Sequence, residues 1–116
     1  MSDGTALVDD CTNARILIVD DDETNVALLR HLLARSGYRD LHTERDSTRV
    51  LHRFEELRPD AVLLDLHLPP PDGFTLLTQL QRRIDTDDLV PVLVLTADAS
   101  AAARRRALQA GAHDFI

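Results

Sequence analysis

Apolar runs that stop abruptly at a polar residue recur along the chain: Arg15–Val19 before three aspartates, Ala61–Leu64 before Asp65, and Pro91–Leu95 before Thr96. A weaker segment lies at Asp40–Glu44. Short runs of leucine and β-branched residues without polar alternation predict strands buried on both faces of a parallel sheet. Between them the apolar period changes to three and four. Val26, Leu29 and Leu33, with Leu28 and Leu32 beside them, predict a helix over Thr24–Arg35 that stops at Gly37. Val50, Leu51, Phe54 and Leu57 predict a second over Ser47–Leu57, with Ser47 as its cap and Pro59 as its breaker. Leu76, Leu77, Leu80 and Ile84 predict a third over Phe74–Ile84, ahead of the acidic turn Asp85–Asp88. Ser100 caps an Ala-rich helix, Ala101–Ala110, which Gly111 ends, and Asp114–Ile116 reads as the opening of a fifth strand.

Strands alternating with helices imply right-handed βαβ crossovers and a parallel α/β sheet covered on both sides. Ligands of such sheets bind beyond the carboxyl ends of the strands, and the residues there are Asp20, Asp21, Asp65 and Thr96. Carboxylates crowded at one sheet edge repel each other, so they take up protons or hold a hard cation, for which Mg2+ is the natural candidate. A divalent ion would also neutralise an incoming phosphoryl group and leave one carboxylate as an in-line nucleophile, with the Thr96 hydroxyl near a phosphoryl oxygen.

Composition narrows the partners. The 116 residues fit one domain able to bury a core without disulfides, and Cys11 has no second cysteine to pair with. Thirteen basic residues, all Arg, against 20 acids give a net charge of −7, which argues against nucleic acid and anionic membrane as direct partners of this segment. Residues 1–14 form no signal peptide and are expected to be a flexible tail, and no apolar run spans a membrane. A cytoplasmic location is the expectation.

Together the stretches I-L-I-V-D-D-D-E-T-N, A-V-L-L-D-L-H-L-P-P-P-D-G-F, V-P-V-L-V-L-T-A and A-G-A-H-D-F resemble the receiver domain of bacterial two-component response regulators, over Arg15 to Ile116. The resemblance implies a flavodoxin-like, doubly wound, five-stranded parallel sheet of order 2-1-3-4-5 in a domain covering residues 15–116. It also implies that a sensor histidine kinase phosphorylates Asp65. Asp21 would bind Mg2+ directly, Asp20 mostly through water, Asp65 as acceptor and ligand, and His67 through its backbone carbonyl. Thr96 would be the switch hydroxyl and Phe115 the switch aromatic, while Pro69, Asp72 and Gly73 match the loop after the acceptor. A module of this kind is a signalling switch that at most catalyses its own phosphorylation and dephosphorylation.

The family lysine falls two residues beyond the position of Ile116, and the chain has no Lys and no fifth helix. A truncated piece of a longer regulator is therefore expected, with no arginine at a strand end beside the site and with self-association as a homodimer through the fourth-helix and fifth-strand face. The Leu/Ala/Arg-rich texture, with T-N after the acidic triplet, resembles receivers fused to cyclic-di-GMP phosphodiesterases, which would make that the C-terminal output domain.

Plainer readings compete. Asp20–Asp22 also suit the positive end of a helix dipole, Thr96 and Phe115 suit a strand end and a core, and Arg104–Arg106 suit a solvated helix face. An enzyme reading is open as well: Asp20, Asp22 and Thr24 spell D-x-D-x-T, which resembles the nucleophile motif of haloacid-dehalogenase-like phosphatases. That family requires a lysine and a later acidic motif.

Overall fold

The three leucine- and valine-rich runs lie side by side in the computed structural model, which describes residues 13–84, 90–95, 101–109, 112 and 114–115. The elements are β1 (Arg15–Val19), α1 (Glu23–Arg35), β2 (Asp40–Glu44), a 3-10 turn (Ser47–Arg49), α2 (Val50–Leu57), β3 (Ala61–Asp65), α3 (Gly73–Arg83), β4 (Val92–Leu95), α4 (Ala101–Gln109) and β5 (Asp114–Phe115). Four parallel strands form the sheet in the order β2-β1-β3-β4. The two residues of β5 pair beside β4, Asp114 against Leu93 and Phe115 against Val94.

Side chains alternate across the pleat, and the alternation divides the core in two. Leu17, Val19, Val62, Leu64, Val92 and Val94 face α2 and α3, packing against Val50, Phe54, Leu76, Leu77 and Leu80. Ile16, Ile18 and Leu63 face the other way and are covered by Leu29 and Leu33 of α1 with Tyr38 and Leu41. With both faces covered, β1 after Arg15 and β3 before Asp65 carry only apolar residues. Each buried Leu or Val contributes about 1.5–3 kcal/mol.

Two helix details depart from the sequence reading. Leu28 and Leu32 are about half exposed, because the row carrying Val26, Leu29 and Leu33 takes the inner face of α1. Ser47 is not the cap before α2: Asp46 accepts the Thr48 amide and starts the 3-10 turn that leads into the helix. Helix ends follow backbone chemistry: Gly37 takes φ 101° after α1, and Arg58 takes φ 49° after α2, just before Pro59. The expected Ser100 cap and Gly111 stop lie outside the described residues.

Candidate functional site

Parallel register brings the carboxylates together. Val19 of β1 is opposite Leu64 of β3, so Asp20 and Asp65 emerge one step later from adjacent strand ends. Asp20, Asp21 and Asp65 each present a carboxylate oxygen, and these oxygens all lie within 4.8 Å of one another. Asp20 is the most enclosed, at 3% exposure, and Asp21 is exposed.

Hydrogen bonds fix these groups. The Asp20 amide donates to the Glu44 carbonyl of β2 at 3.3 Å. Its carboxylate accepts from the Asp22 amide at 2.9 Å and from the Asn25 side chain. Burial, and then the negative charges of Asp65 and Asp21, push the Asp20 carboxyl above the ordinary carboxylate range, against the pull of those two donors. Asp65 accepts the His67 amide at 3.1 Å, which turns the chain away from β3. Asp22 is the N-cap of α1, accepting the Thr24 amide at 2.9 Å, so for that residue the helix-end reading is the correct one.

The loop from Leu66 to Asp72 is held close against the site. Leu66 and Leu68 are buried, and Leu66 donates to the Leu95 carbonyl at 3.3 Å. Asp72 caps α3 by accepting the Thr75 amide at 2.8 Å, which holds its carboxyl below the usual range. Gly73 donates to the Leu66 carbonyl at 3.3 Å, and a Cβ there would meet the Leu66 Cα at 2.4 Å and the Asp65 carbonyl oxygen at 2.6 Å. Only glycine lets α3 begin that near the end of β3.

Three neighbours of the site carried too little signal in the sequence. Asn25 reaches Asp20 from the first turn of α1. Arg45, immediately after β2, donates to the Asp21 carbonyl at 3.4 Å and lies 3.8 Å from Glu23. An arginine does therefore stand at a strand end beside the site, contrary to expectation. Arg106 of α4 stacks 3.9 Å over the Phe74 ring while remaining exposed, so that arginine does more than face solvent. Thr96 lies outside the described residues. Phe115 is placed in β5 beside Val94 by its backbone pairing alone.

Residues 16–116 match the family model described as the response regulator receiver domain. The chain belongs to that family. This receiver domain is 41% identical over 105 residues to the transcriptional regulatory protein PrrA of Mycobacterium tuberculosis, covering 90% of this chain and 43% of PrrA. Against the BeF3-activated N-terminal receiver domain of Klebsiella pneumoniae RstA the TM-score is 0.79 at 30% identity, covering 88% of this chain and 83% of that one. Against a CheX–CheY–BeF3–Mg2+ complex from Borrelia burgdorferi it is 0.80 at 26% identity, covering 89% and 76%.

The relatives of this receiver domain are response regulators, signalling proteins rather than classical enzymes. The phosphatase reading gains no support: the second aspartate of its motif, Asp22, is occupied as the cap of α1. The expected cyclic-di-GMP phosphodiesterase output gains no support either: PrrA is by name a transcriptional regulatory protein. The chain spans less than half the length of that relative. Among the described residues no helix is long and apolar enough to cross a membrane.

Proposed function

We propose that Asp65 of this receiver domain accepts a phosphoryl group from the phosphohistidine of a sensor histidine kinase, with Mg2+ held by Asp20, Asp21, Asp65 and the His67 backbone carbonyl. The observation that carries the reading is the gathering of three carboxylate oxygens within 4.8 Å. The donor set fits the ion. All three are hard oxygen ligands, and an octahedral Mg2+ with bonds of about 2.0–2.1 Å wants its ligands roughly 3–4 Å apart, a small rotamer movement from this arrangement. The raised carboxyl of Asp20 is the sign of an electrostatic deficit that a cation would relieve. The Borrelia complex, by its description, contains both Mg2+ and the phosphoryl mimic BeF3.

The chain's own groups then have distinct tasks. An Asp65 carboxylate oxygen attacks phosphorus in line, an acyl phosphate P–O bond forms, and the P–N bond to the histidine breaks with its electron pair leaving on the imidazole. The His67 amide, donating to Asp65 Oδ1, leaves the other carboxylate oxygen to react. Bound Mg2+ would neutralise the phosphoryl oxygens and the crowded carboxylates. Asp20 and Asp21 are positioned for the ion by β1, with Asn25 and the Asp22 amide fixing the Asp20 rotamer.

The same reading assigns Thr96 and Phe115 the signalling step. Thr96 takes the part of the switch hydroxyl by its place in the stretch V-P-V-L-V-L-T-A, which resembles the family motif. Asp114–Phe115 belongs to a fifth strand that completes the order 2-1-3-4-5, with residues 1–14 as a tail outside the receiver. The output this domain controls acts on DNA, as the name of PrrA suggests.

The test is a Mg2+ titration followed by thermal unfolding. An ion that binds only the assembled strand ends stabilises the fold by about 1.4 kcal/mol at ten times its dissociation constant. Asp21→Asn should abolish the gain. An unfolding midpoint indifferent to millimolar Mg2+, or an Asp21→Asn protein that responds like the parent, would overturn the metal assignment.

A further inference from the structure

The loop after Asp65 poses a hydrogen-bonding problem. Pro69, Pro70 and Pro71 follow one another, and none has a backbone N–H. Three consecutive residues therefore offer acceptors only, and the loop cannot be fastened there by its own backbone donors. Any side chain that fastens it must bring the donor from elsewhere in the fold. Ser47 supplies it: the hydroxyl, on a residue only 4% exposed, lies 3.0 Å from the Pro69 carbonyl and 3.2 Å from the Pro70 carbonyl. One hydroxyl proton is shared between two oxygens, and this takes Ser47 out of the capping role that Asp46 fills.

The place where Ser47 is anchored matters as much as the bond. The Glu44 carboxylate accepts the Asp46 amide at 3.1 Å, and its other oxygen lies 3.5 Å from the Arg53 guanidinium. The Glu44 carbonyl in turn accepts the Asp20 amide. The short segment from Glu44 to Ser47 thus grips Asp20 at one end and the Pro69–Pro70 carbonyls at the other. It ties together the two arms of the carboxylate site, the β1 end with Asp20 and Asp21 and the β3 loop with Asp65 and His67.

We propose that Ser47 is a positioning residue for the phosphoacceptor site: its buried hydroxyl latches the proline loop, and through it sets where the His67 carbonyl stands relative to Asp20, Asp21 and Asp65. The proposal rests on the metal reading for its consequence, but the latch itself is a statement about the metal-free loop. Ser47 touches neither the ion nor the phosphoryl group. Its effect is transmitted along Leu68 and Pro69, and losing it loosens one ligand arm.

The experiment compares the parent chain with Ser47→Ala and Ser47→Thr, using backbone amide resonances without metal and Mg2+ affinity by calorimetry, well below each unfolding midpoint. Ser47→Ala should shift the His67 and Leu68 amides and weaken Mg2+ about tenfold, the lower end of the usual effect of removing a partner that orients a metal ligand. Ser47→Thr, which keeps the hydroxyl, should restore most of the affinity. A merely structural serine would lower the midpoint yet leave affinity and loop resonances of the folded protein unchanged, and that result overturns the latch. If Ser47→Ala does not fold, Ser47→Cys, which leaves no cavity and keeps a weaker donor, should show the same two changes to a smaller degree. A parent chain that binds no Mg2+ removes the metal reading, while the metal-free His67 and Leu68 shifts still decide the latch.

Discussion

Replacing Gly73 with alanine tests whether α3 must begin hard against the acceptor strand. The added Cβ would stand 2.4 Å from the Leu66 Cα, 2.6 Å from the Asp65 carbonyl oxygen and 2.9 Å from the Leu66 carbonyl carbon. Carbon atoms settle about 3.5–4 Å apart, so the nearest contact is short by roughly 1 Å. All three neighbours are backbone, and no rotamer change relieves the clash. Either α3 lifts away or the end of β3 moves. Overpacking of this kind costs about 1–3 kcal/mol, and the Gly73–Leu66 hydrogen bond broken by the movement adds about 1 kcal/mol. The expected loss is therefore about 3 kcal/mol, or a fall in the unfolding midpoint of about 12 °C at roughly 4 °C per kcal/mol for a domain of this size. Circular dichroism melts with and without Mg2+ read both the loss and its consequence, because displacing Asp65 should also shrink the stabilisation by Mg2+. Gly37→Ala is the control: its φ of 101° makes alanine cost about 1–2 kcal/mol, at a site remote from the ion, so its Mg2+ response should be that of the parent. A Gly73→Ala midpoint within about 2 °C of the parent, with full Mg2+ response, would refute the reasoning.

Two further outcomes follow from the carboxylates. Because the Asp20 carboxyl is raised in the fold, its protonated form is favoured there, and the metal-free protein should lose stability as pH rises from the ordinary value of 3.8 through the raised one. Asp20→Asn retains the oxygen that accepts the Asp22 amide, so urea titrations should show it more stable than the parent at neutral pH without metal and no longer stabilised by Mg2+. Asp72 has the opposite sign: its carboxyl is lowered chiefly by the Thr75 amide, so its capping contribution is complete above 3.8 and vanishes as pH falls through the lowered value. Asp72→Ala should cost about 1 kcal/mol at pH 7 and nothing at a pH where the cap is already protonated, as urea midpoints at the two pH values will report.

The elements most legible in the sequence were those where burial leaves no choice. β1 and β3 are covered on both faces, so their apolar runs mark the strands and the first carboxylate after each marks the site. β2, at the sheet edge with side chains only partly buried before Glu44, left a weaker pattern, Asp-Leu-His-Thr-Glu, though its bounds were still readable. Ser47 and Asp46 are both good capping residues, and propensity alone cannot say which caps. The choice is made by the proline loop, distant in sequence, whose carbonyls need a donor. Leu28 and Leu32 fit the helical spacing as well as Leu29 and Leu33 do, and only the position of the sheet separates the inner row from the outer. Arg45 and Asn25 reach the site through long or flexible side chains that no periodicity marks. Gly73 was readable as part of the loop motif, but its reason, backbone against backbone, exists only once α3 and β3 are packed.

The central claim, that Asp65 is the single phosphoacceptor, is tested most directly by mapping the phosphate. The parent chain and Asp65→Asn are incubated with acetyl phosphate and Mg2+, the acyl phosphate is reduced with borohydride to fix its position, and peptides are read by mass spectrometry. The account requires one modified residue, Asp65, in the parent, no modification without Mg2+, and none in Asp65→Asn. Phosphate retained in Asp65→Asn, or found on Asp20, Asp21 or Asp22 of the parent, would contradict it.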